Sequence, residues 1–538
     1  MRFTVSGFAG ANRAIHPKLL ADNVGTESVN QRPGRGDLRG WKQLGASLAT
    51  VAIGHKSIYR LGRDVASDTQ YWLSWSTLVH AVRGFIAADT TERTYFSGDG
   101  APKVTDNVMG IATPPYPTAS RILGVPAPII APLLTQTTAG VGLDETRFYV
   151  YTYVTDRGEE SAPSPLSAAI VCKPGAVITV SNMGTAGPTG NYGITLKRIY
   201  RTQTGSAATE FFFLREVAIG ADSTTDDARA LGETLPSSTW LIPPADLKGL
   251  HGLWNGMMAG ISGRSVRYCE PFKPYAWPLT YETLLVDVTP VALGSFQQTL
   301  LVLTNGVPYA ITGTSPDAMS EQRVELDQAC VSAASVQSFG HGVVYASPDG
   351  LTYIGTNGPP RVLTAGLMQR EDWQALVPAT IVGAQYEGAY MGFYNDGTLK
   401  GFVIDPLNPS GLYFLDTGYA ASYYDRLQDA LYVLDGTAIK KWHDAVGAMT
   451  VRFRSRVVRL PAPCNMGYAE VTADAYPVTM RLYADGVLRF TKTVTSRDVF
   501  GMPSGYLADD FQVELEAAAG AAVQGAALAE TVEELRQL

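Results

Sequence analysis

The sequence predicts an all-β protein organised around a β-propeller of about six blades. Its 538 residues include 54 Gly, 32 Pro and 27 Tyr, and only 17% are charged, a composition typical of turn-rich β folds. Asn-Gly and Asp-Gly pairs recur between short apolar runs, and they are strong hairpin signals because type I′ turns need two residues at positive φ. The pairs begin at Asp99, Asn255, Asn305, Asp349, Asp396 and Asp435.

The spacing of these turns indicates a repeat. From Asn255 to Asp435, successive turns lie 39 to 50 residues apart, and a period of roughly 40–50 residues with several strands is typical of propeller blades. The Asp99 copy lies far upstream of the others. We therefore expect one more blade, separated from the rest by an inserted domain.

The first part of the chain divides into three segments. Residues 1–47 are predicted to form an extended arm, because glycines and prolines punctuate them throughout. Residues 48–110 contain short apolar runs such as Tyr71–Trp75 and fit a first blade. Residues 111–144 are rich in Pro and Thr and are predicted to be a linker.

Residues 145–245 are predicted to be the inserted domain, a β-sandwich. Arg147–Val154 alternates as a strand, and Ile194–Thr202 and Glu210–Val217 are further strands. The segment Gly158–Ser164 and the strand Arg198–Thr202 resemble those of a fibronectin type III domain. Residues 246–445 then supply the remaining blades.

Residues 446–538 are predicted to form a C-terminal β domain that ends in a short helix. Alternation from Met449 to Leu460 places Arg452, Arg454 and Arg456 on one face of a strand. Such a row could contact nucleic acid or an acidic partner subunit, or it could be a solvated, edge-protecting face. We favour a contact between subunits over DNA, because the acidic chain has no other basic surface to extend the row.

Charge and composition narrow the classes of function. The net charge is −8 with no basic stripe, which argues against tight, sequence-general DNA binding but allows a surface that DNA slides past. The four cysteines show no Cys-x-x-Cys spacing and the six histidines are dispersed, so we expect no metal, cofactor or disulfide framework. No signal peptide or membrane span is expected, which indicates a soluble protein folded in a cytoplasm.

One segment suggests an enzyme as the alternative. Ser347–Tyr353 resembles the Asp-box turn of sialidases and other glycan-cleaving propellers. Asp425, Glu387 and Arg370 could supply acids and a cation, but no motif joins them. A glycan-binding or glycan-cleaving propeller on a virion or cell surface is therefore the alternative, and a generic propeller scaffold for protein partners is a third.

Eight segments spread over nearly the whole chain carry a more specific resemblance: Leu19–Asp22, Asn30–Gly34, Arg198–Thr202, Pro243–Leu250, Tyr268–Pro278, Tyr345–Leu351, Tyr476–Gly486 and Pro503–Ala508. In this order they resemble the nozzle, or tail hub (tail tubular protein B-like), proteins of short-tailed bacteriophages.

This resemblance implies a structural virion protein of the phage tail rather than an enzyme, assembled in the host cytoplasm and without a cofactor. Six copies would form a ring below the tail adaptor. The ring would continue and gate the DNA-ejection channel and anchor tail fibres or spikes. Phage DNA would pass without tight binding, because a basic wall would hold its phosphates. In a closed homohexamer each copy contacts the next through two different surfaces, and the sixth copy contacts the first.

Overall fold

The computed structural model describes residues 1–62, 71–87, 89–203, 210–228, 230–518 and 520–536. Strands account for 45% of the chain and helices for 4%, which establishes the all-β class. The strands are numbered along the chain from the N-terminus. Those of the N-terminal segment are β1 (Arg2–Ser6), β2 (Glu27–Val29) and β3 (Ser47–Thr50).

Two small antiparallel sheets follow the N-terminal segment. The first sheet consists of β4 (Ser57–Arg60) and β5 (Trp72–Trp75). The second sheet consists of β6 (His80–Arg83), β7 (Thr94–Ser97), β8 (Lys103–Thr105) and β9 (Arg121–Ile122).

The chain then enters an inserted body with its own apolar core. Its strands are β10 (Leu133–Thr138), β11 (Glu145–Arg147), β12 (Tyr149–Thr155), β13 (Ile170–Cys172), β14 (Val177–Ser181), β15 (Ile194–Thr202), β16 (Phe211–Ala218) and β17 (Thr224–Asp226). They form three sheets in the orders β10-β14-β17, β11-β13 and β12-β15-β16. Tyr149, Ile178 and Ile199 lie at the centre of the core. The stretch predicted as a linker contributes β10, since its threonines favour strands and its prolines lie outside the strand.

Five further sheets continue along the chain after the inserted body. The third sheet contains β18 (Lys248–Gly252), β19 (Met258–Ser262), β20 (Ser265–Tyr268) and β21 (Glu282–Leu284), and the fourth contains β22 (Pro290–Phe296), β23 (Thr299–Thr304), β24 (Tyr309–Thr312) and β25 (Ser320–Arg323). The fifth sheet contains β26 (Gln337–Phe339), β27 (Gly342–Ser347), β28 (Gly350–Gly355) and β29 (Arg361–Val362), and the sixth contains β30 (Val382–Tyr386), β31 (Ala389–Asn395), β32 (Leu399–Ile404) and β33 (Tyr413–Leu415). The seventh sheet contains β34 (Ser422–Asp425), β35 (Ala430–Asp435) and β36 (Ala438–Lys441) and is completed by β3. Helix α1 (Arg370–Ala375) and three 3-10 turns (Pro316–Ala318, Ala333–Ser335, Pro378–Thr380) lie in the connections.

The seven sheets close into a ring. The first strands of neighbouring sheets touch in the order β6, β18, β22, β26, β30, β34 and β4, and the Val79 N–H donates to Ser57 Oγ at 2.8 Å between the first and second sheets. One buried apolar cluster lies between each pair of neighbouring sheets. At the closure, Trp72 of the first sheet packs with Tyr432 of the seventh.

The number of sheets in the ring differs from the sequence prediction of about six blades. Seven sheets close it within the part of the chain that the structure describes. Residues 48–110, which were expected to form one blade, contain strands of both the first and the second sheet. The two-stranded first sheet has no Asn-Gly or Asp-Gly pair between its strands, so the turn pattern could not reveal it.

All six predicted turns connect consecutive antiparallel strands, but one of them joins a different pair of strands within its sheet. Asn255 joins the first and second strands of its sheet, whereas the other five pairs join second and third strands. Among these six turns, only Asn255–Gly256 has positive φ at both residues, 54° and 68°. The second-to-third turn of that sheet uses Gly263 instead, at φ 56°. The dipeptide therefore identifies a hairpin without identifying which hairpin of the sheet it is.

The last part of the chain forms a two-sheet C-terminal body. Its elements are β37 (Val451–Arg454), β38 (Val458–Cys464), β39 (Tyr468–Ala473), β40 (Val478–Ala484), β41 (Val487–Val494), β42 (Phe500–Gly501), β43 (Ala508–Ala517), β44 (Val523–Ala529) and helix α2 (Val532–Arg536). One sheet has the order β1-β44-β39-β42, and the other contains β37-β43-β40-β41 with β38 also paired to β43.

The segment predicted as an extended arm pairs with the rest of its own chain. Strand β1 runs antiparallel to β44 over five residue pairs, and Phe3, Val5, Phe8 and Leu38 are buried in the C-terminal core. Strand β3 pairs with β36 and completes the seventh sheet of the ring. The segment thus contacts both large parts of the molecule.

Strand β2 joins the ring and the C-terminal body into one sheet. It pairs with β33 of the sixth ring sheet on one side and with β37 on the other, giving a ten-stranded sheet. The next residue, Asn30, is 2% exposed and has φ 57°. Its N–H donates to the Phe414 carbonyl oxygen at 2.7 Å, its Nδ2 donates to the Thr450 carbonyl oxygen at 3.0 Å, and its Oδ1 accepts from the Asp416 N–H at 3.2 Å.

We expect Asn30→Ala to destabilise the protein by roughly 2–4 kcal/mol, because it removes two buried side-chain hydrogen bonds and leaves an alanine at positive φ. Asn182→Ala is the matched control. Asn182 also has positive φ, 62°, but it is exposed and makes one long hydrogen bond of 3.3 Å. Urea unfolding followed by tryptophan fluorescence measures both. Equal effects of the two substitutions would contradict the central role of Asn30.

Candidate functional site

The first strands of the seven sheets surround a cavity on the axis of the ring, which we call the axial cavity. It has a volume of about 590 Å³ and receives residues from all seven sheets. Its described wall includes the polar or charged side chains of His80, Arg83, His251, Ser338, Gln337, Gln385, Ser422, Asp425 and Arg426. Each of these residues lies in, or directly next to, the first strand of its sheet, so the ring geometry alone brings them together.

An ion pair lies where the ring closes. Arg60 of β4 and Asp425 of β34 are 0% and 2% exposed, and Arg60 Nη1 lies 2.9 Å from Asp425 Oδ2. Asp425 Oδ1 also accepts from the Leu427 N–H at 3.0 Å. A buried carboxylate is stable only when it is paired and hydrogen-bonded, so Asp425 helps join the first and seventh sheets.

Arginine outnumbers carboxylate in this region. Asp425 is the one carboxylate among the wall residues that the structure describes, whereas Arg83 and Arg426 line the same wall. Asp425 is already neutralised by Arg60. Arg426 donates to the Ser338 carbonyl oxygen at 3.1 Å. Asp425 and Arg426 thus already have partners within the protein.

Two histidines in the wall are held neutral at physiological pH. Burial lowers the pKa of His80 to about 4. Burial, with smaller contributions from the nearby His80 and Arg426 side chains, lowers the pKa of His251 to about 4. His251 Nε2 lies 2.8 Å from Ser295 Oγ. Neutral imidazole offers one donor and one acceptor, so these side chains contribute hydrogen bonds to the cavity rather than charge.

The arginine row of the C-terminal body has partners within its own chain. Arg452 Nη2 lies 3.7 Å from Glu27 Oε2, and Arg456 Nη2 lies 2.5 Å from Asp22 Oδ1. The Arg454 guanidinium lies 4.0 Å from the centre of the Tyr483 ring. Strand β37 ends at Arg454, so Arg456 belongs to the connection that follows. Two of the three charges face the N-terminal segment, and the inter-subunit role of the row stays a prediction.

The Asp-box-like segment is a braced hairpin. Asp349 accepts from Gln328 Nε2 at 2.8 Å and pairs with Arg370 Nε at 2.6 Å, and these partners hold the pKa of its carboxyl below the usual range. Trp373 of α1 donates its indole N–H to the Ser347 carbonyl oxygen at 2.9 Å. The Asp349 carboxylate thus stabilises the hairpin through its contacts with Gln328 and Arg370.

The three other residues considered for glycan chemistry do not come together. Glu387 pairs with Arg32 at 2.6 Å, Arg370 pairs with Asp349, and Asp425 alone lines the axial cavity. Sequence reasoning missed His80, His251 and Arg426. Each lies in or next to the first strand of its ring sheet, but the single blade predicted for residues 48–110 concealed the first strand that contains His80.

No group of three or more His, Cys, Asp or Glu side chains within the described ranges is placed to hold a metal ion. The four cysteines are free and buried. No helix in the described part of the chain is both long and apolar enough to cross a membrane.

Comparison with known proteins gives little guidance. No family model matches the chain, and no curated protein matches it. Among solved structures, the chain is similar to a glutaminyl cyclase of Myxococcus xanthus (TM-score 0.21, 12% identity, 35% of this chain and 85% of that one). It is also similar to the Pan2 WD40 domain of Neurospora crassa (TM-score 0.24, 8% identity, 50% and 84%).

A third structure, S. cerevisiae dbp5 bound to nup159 and gle1, contains a chain that matches with TM-score 0.23 and 12% identity over 51% of this chain and 90% of that one. All three scores lie below the level at which a shared fold is established. The site must therefore be interpreted from its own geometry.

We expect stability to fall as the pH drops from 6.5 to 4. In that window the unfolded chain binds protons at His80 and His251 while the folded chain does not, because their folded pKa values are about 4. Scanning calorimetry across pH 4 to 7.5 measures this. The double variant His80→Gln/His251→Gln should reduce the slope between pH 4 and 6.5 and leave it unchanged above pH 7. An unchanged slope throughout would refute the neutral state of both histidines.

Proposed function

We propose that this chain is a structural virion protein, the nozzle or tail hub of a short-tailed bacteriophage. In this proposal the ring is a seven-bladed β-propeller, the inserted body is a fibronectin type III-like sandwich, and the C-terminal body is a separate β domain. Several copies, six by the family resemblance, form a ring below the tail adaptor. That ring continues and gates the DNA-ejection channel and anchors fibres or spikes.

The propeller interpretation is supported by the radial arrangement of the sheets. Seven sheets meet through their first strands, and each neighbouring pair shares one apolar cluster. The seventh sheet is completed by β3 from the N-terminal side, so strands from both ends of the ring segment close the circle. A closed circle of short sheets leaves only short, protected edges.

The observation that carries the structural role is the ten-stranded sheet that crosses from the ring to the C-terminal body. A shared sheet transmits load through main-chain hydrogen bonds and prevents the two parts from moving independently. A tail component must withstand the passage of DNA without deforming, and this construction fits that requirement.

Ion pairs fix the inserted body to the second ring sheet in a similar way. Arg121 pairs with Asp156 at 2.5 Å, and Arg93 Nη1 lies 3.6 Å from Glu159. Arg157 also pairs with Asp106. Three contacts with clustered partners hold orientation better than isolated surface pairs do, so ring, insertion and C-terminal body act as one unit.

The axial cavity itself is no path for DNA. A volume of about 590 Å³ suits a small molecule, not a duplex. The DNA channel of the proposed nozzle must therefore form between copies of the chain. A net charge of −8 suits such a channel, because an acidic or neutral wall does not retain phosphates.

An uncharged, exposed stretch supports assembly with other protein surfaces. Residues 122–143 contain no charged side chain, and Ile129, Val141 and Leu143 are 88%, 85% and 88% exposed. Strand β10 lies within this stretch and pairs only with β14 among the described strands. Edge strands are usually protected by charge, as β41 is by Arg489 and Lys492. We propose that a neighbouring copy covers the β10 edge.

The glycan-cleaving alternative has less support. Most glycosidases use two carboxylates that flank the scissile bond, and the described wall of the axial cavity supplies only Asp425, which Arg60 occupies. The Asp349 turn braces a hairpin instead of facing the cavity.

Negative-stain microscopy of the purified full chain tests the proposal directly. We expect closed rings with sixfold symmetry, and gold labelling of phage particles should place the protein on the tail axis. A stable monomer that releases reducing sugar from host polysaccharide would overturn the proposal in favour of the alternative.

The variant Val141→Lys/Leu143→Lys should reduce the ring fraction at least tenfold while leaving the melting temperature of the monomer unchanged, because both side chains are exposed. The control is Ile53→Lys, an equally exposed apolar position at 86%, which should assemble normally. Light scattering after size exclusion measures the ring fraction. Normal assembly of the double variant would exclude the exposed segment directly after β10 as the contact.

Alanine at Arg452, Arg454 and Arg456 tests the arginine row in the same assay. If the row contacts a neighbouring copy, the ring fraction falls and affinity for DNA stays unchanged. If the row acts only on Glu27 and Asp22 of its own chain, the melting temperature falls and the rings persist. The second result would refute the inter-subunit interpretation.

A further inference from the structure

We propose that Asn357 is a site of spontaneous covalent modification, at which the side-chain amide is lost and isoaspartate is the main product. Asn-Gly pairs are the sequences most prone to this reaction. Besides the two pairs at Asn255 and Asn305, the chain contains a third, Asn357–Gly358, in the connection between β28 and β29. The three pairs have different surroundings, and only those of Asn357 leave the reacting groups free.

The reaction requires only water as a co-reactant. Hydroxide removes the proton from the Gly358 backbone nitrogen, which attacks Cγ of Asn357. A bond forms between that nitrogen and Cγ, the bond from Cγ to the amide nitrogen breaks, and ammonia leaves. Water then opens the resulting five-membered ring. Attack at Cγ gives aspartate, whereas attack at the main-chain carbonyl carbon of residue 357 gives isoaspartate, in which the peptide link runs through Cγ.

The Asn357 pair is free to form this ring. Both Asn357 and Gly358 are exposed, and they lie outside the strands. Among the described residues, neither the Asn357 side chain nor the Gly358 N–H has a hydrogen-bond partner. Glycine has no Cβ to shield its nitrogen. The nitrogen and Cγ can therefore approach each other without disrupting the surrounding structure.

Hydrogen bonds hold both reacting groups of the Asn305 pair. Asn305 Oδ1 accepts from the Thr289 N–H at 2.8 Å. The Gly306 N–H, which would supply the attacking nitrogen, donates to Thr304 Oγ1 at 3.0 Å. Both bonds would have to break before the ring could form, so folding slows the reaction at this pair.

Packing and a hydrogen bond protect the Asn255 pair. Asn255 Nδ2 donates to the Thr314 carbonyl oxygen at 3.0 Å. Gly256 is buried against Phe272, since a Cβ at Gly256 would lie 2.5 Å from Cδ1 of that ring. The Phe272 N–H also donates to the Gly256 carbonyl oxygen at 2.8 Å. The aromatic ring thus shields the Gly256 backbone and limits its movement.

Arg361 favours isoaspartate over aspartate at Asn357. Arg361 Nη1 donates to the main-chain carbonyl oxygen of Asn357 at 2.7 Å. Its Nη2 donates to the Pro406 carbonyl oxygen at 3.2 Å, and the guanidinium lies 5.1 Å from the centre of the Tyr353 ring. A positioned guanidinium stabilises the negative charge that develops on a carbonyl oxygen under attack by water. Ring opening at this carbonyl yields isoaspartate, and the same oxygen then belongs to a carboxylate beside Arg361.

Peptide mapping by mass spectrometry after incubation of the full chain in mildly alkaline buffer tests the site. Trypsin places the three pairs on separate peptides, 249–264, 268–323 and 324–361, because Pro274 blocks cleavage after Lys273. We expect the amide of Asn357 to be lost about tenfold or more faster than that of Asn255 or Asn305, because hydrogen bonds at those two pairs must break first.

The same chain in concentrated urea is the control for intrinsic reactivity. There the three rates should agree within about threefold, because urea removes the protecting contacts. Asn357→Gln should abolish the fast modification and leave the rates at Asn255 and Asn305 unchanged. The inference is overturned if either of those residues reacts as fast as Asn357 in the folded chain. It is also overturned if folding slows Asn357 as strongly as it slows the other two.

The ratio of isoaspartate to aspartate at position 357, measured by electron-transfer fragmentation, tests the role of Arg361. We expect a ratio about twofold or more higher in the folded chain than in urea. Arg361→Gln should lower the ratio to the urea value, and Arg361→Lys should restore part of it. An unchanged ratio in Arg361→Gln would refute the product assignment. These measurements do not depend on ring assembly, so their failure and that of the proposed virion role are distinguishable.

Discussion

The pairing of β2 with both the ring and the C-terminal body is the constraint on which the rest of the molecule depends. Three residues, Glu27 to Val29, make one sheet continuous between the ring and the C-terminal body. Asn30 then holds both sides with its backbone and its amide. Close approach requires glycine nearby, since a Cβ at Gly40 would lie 2.3 Å from the Met449 carbonyl oxygen. The Asn30–Gly34 motif of the sequence is therefore a structural junction.

Local patterns predicted the strands and hairpins well, because alternation and turn chemistry act over a few residues. The same patterns could not count the sheets of the ring. The Asn255 turn belongs to a different hairpin from the other five, and the first sheet lacks the dipeptide altogether. The contacts that define the cavity join residues such as Arg60 and Asp425, which are far apart in sequence. A pattern of a few residues carries no information about contacts between segments so far apart in sequence. The axial cavity therefore became visible only in the closed ring.

Acidic and basic side chains compensate each other at several places within the chain. The chain as a whole is acidic, which suits a surface near DNA that must not bind it. At the ring closure, the buried charges of Arg60 and Asp425 compensate each other. Arg452 and Arg456 meet Glu27 and Asp22 of the same chain, so basic residues of the C-terminal body are balanced internally.

The pairing of β1 with β44 also affects how the protein is made. Strand β1 is synthesised long before its partner, Val523–Ala529, because Arg2 pairs with Ala529, which lies 527 residues further along the chain. During translation the apolar side of β1, with Phe3 and Val5, has no native sheet to join, and non-local pairing of this kind is slow. A prematurely terminated chain would keep that strand exposed and would lack a finished C-terminal body. The C-terminal body can therefore finish folding only after β44 has been synthesised, later than the ring sheets that precede it in the chain.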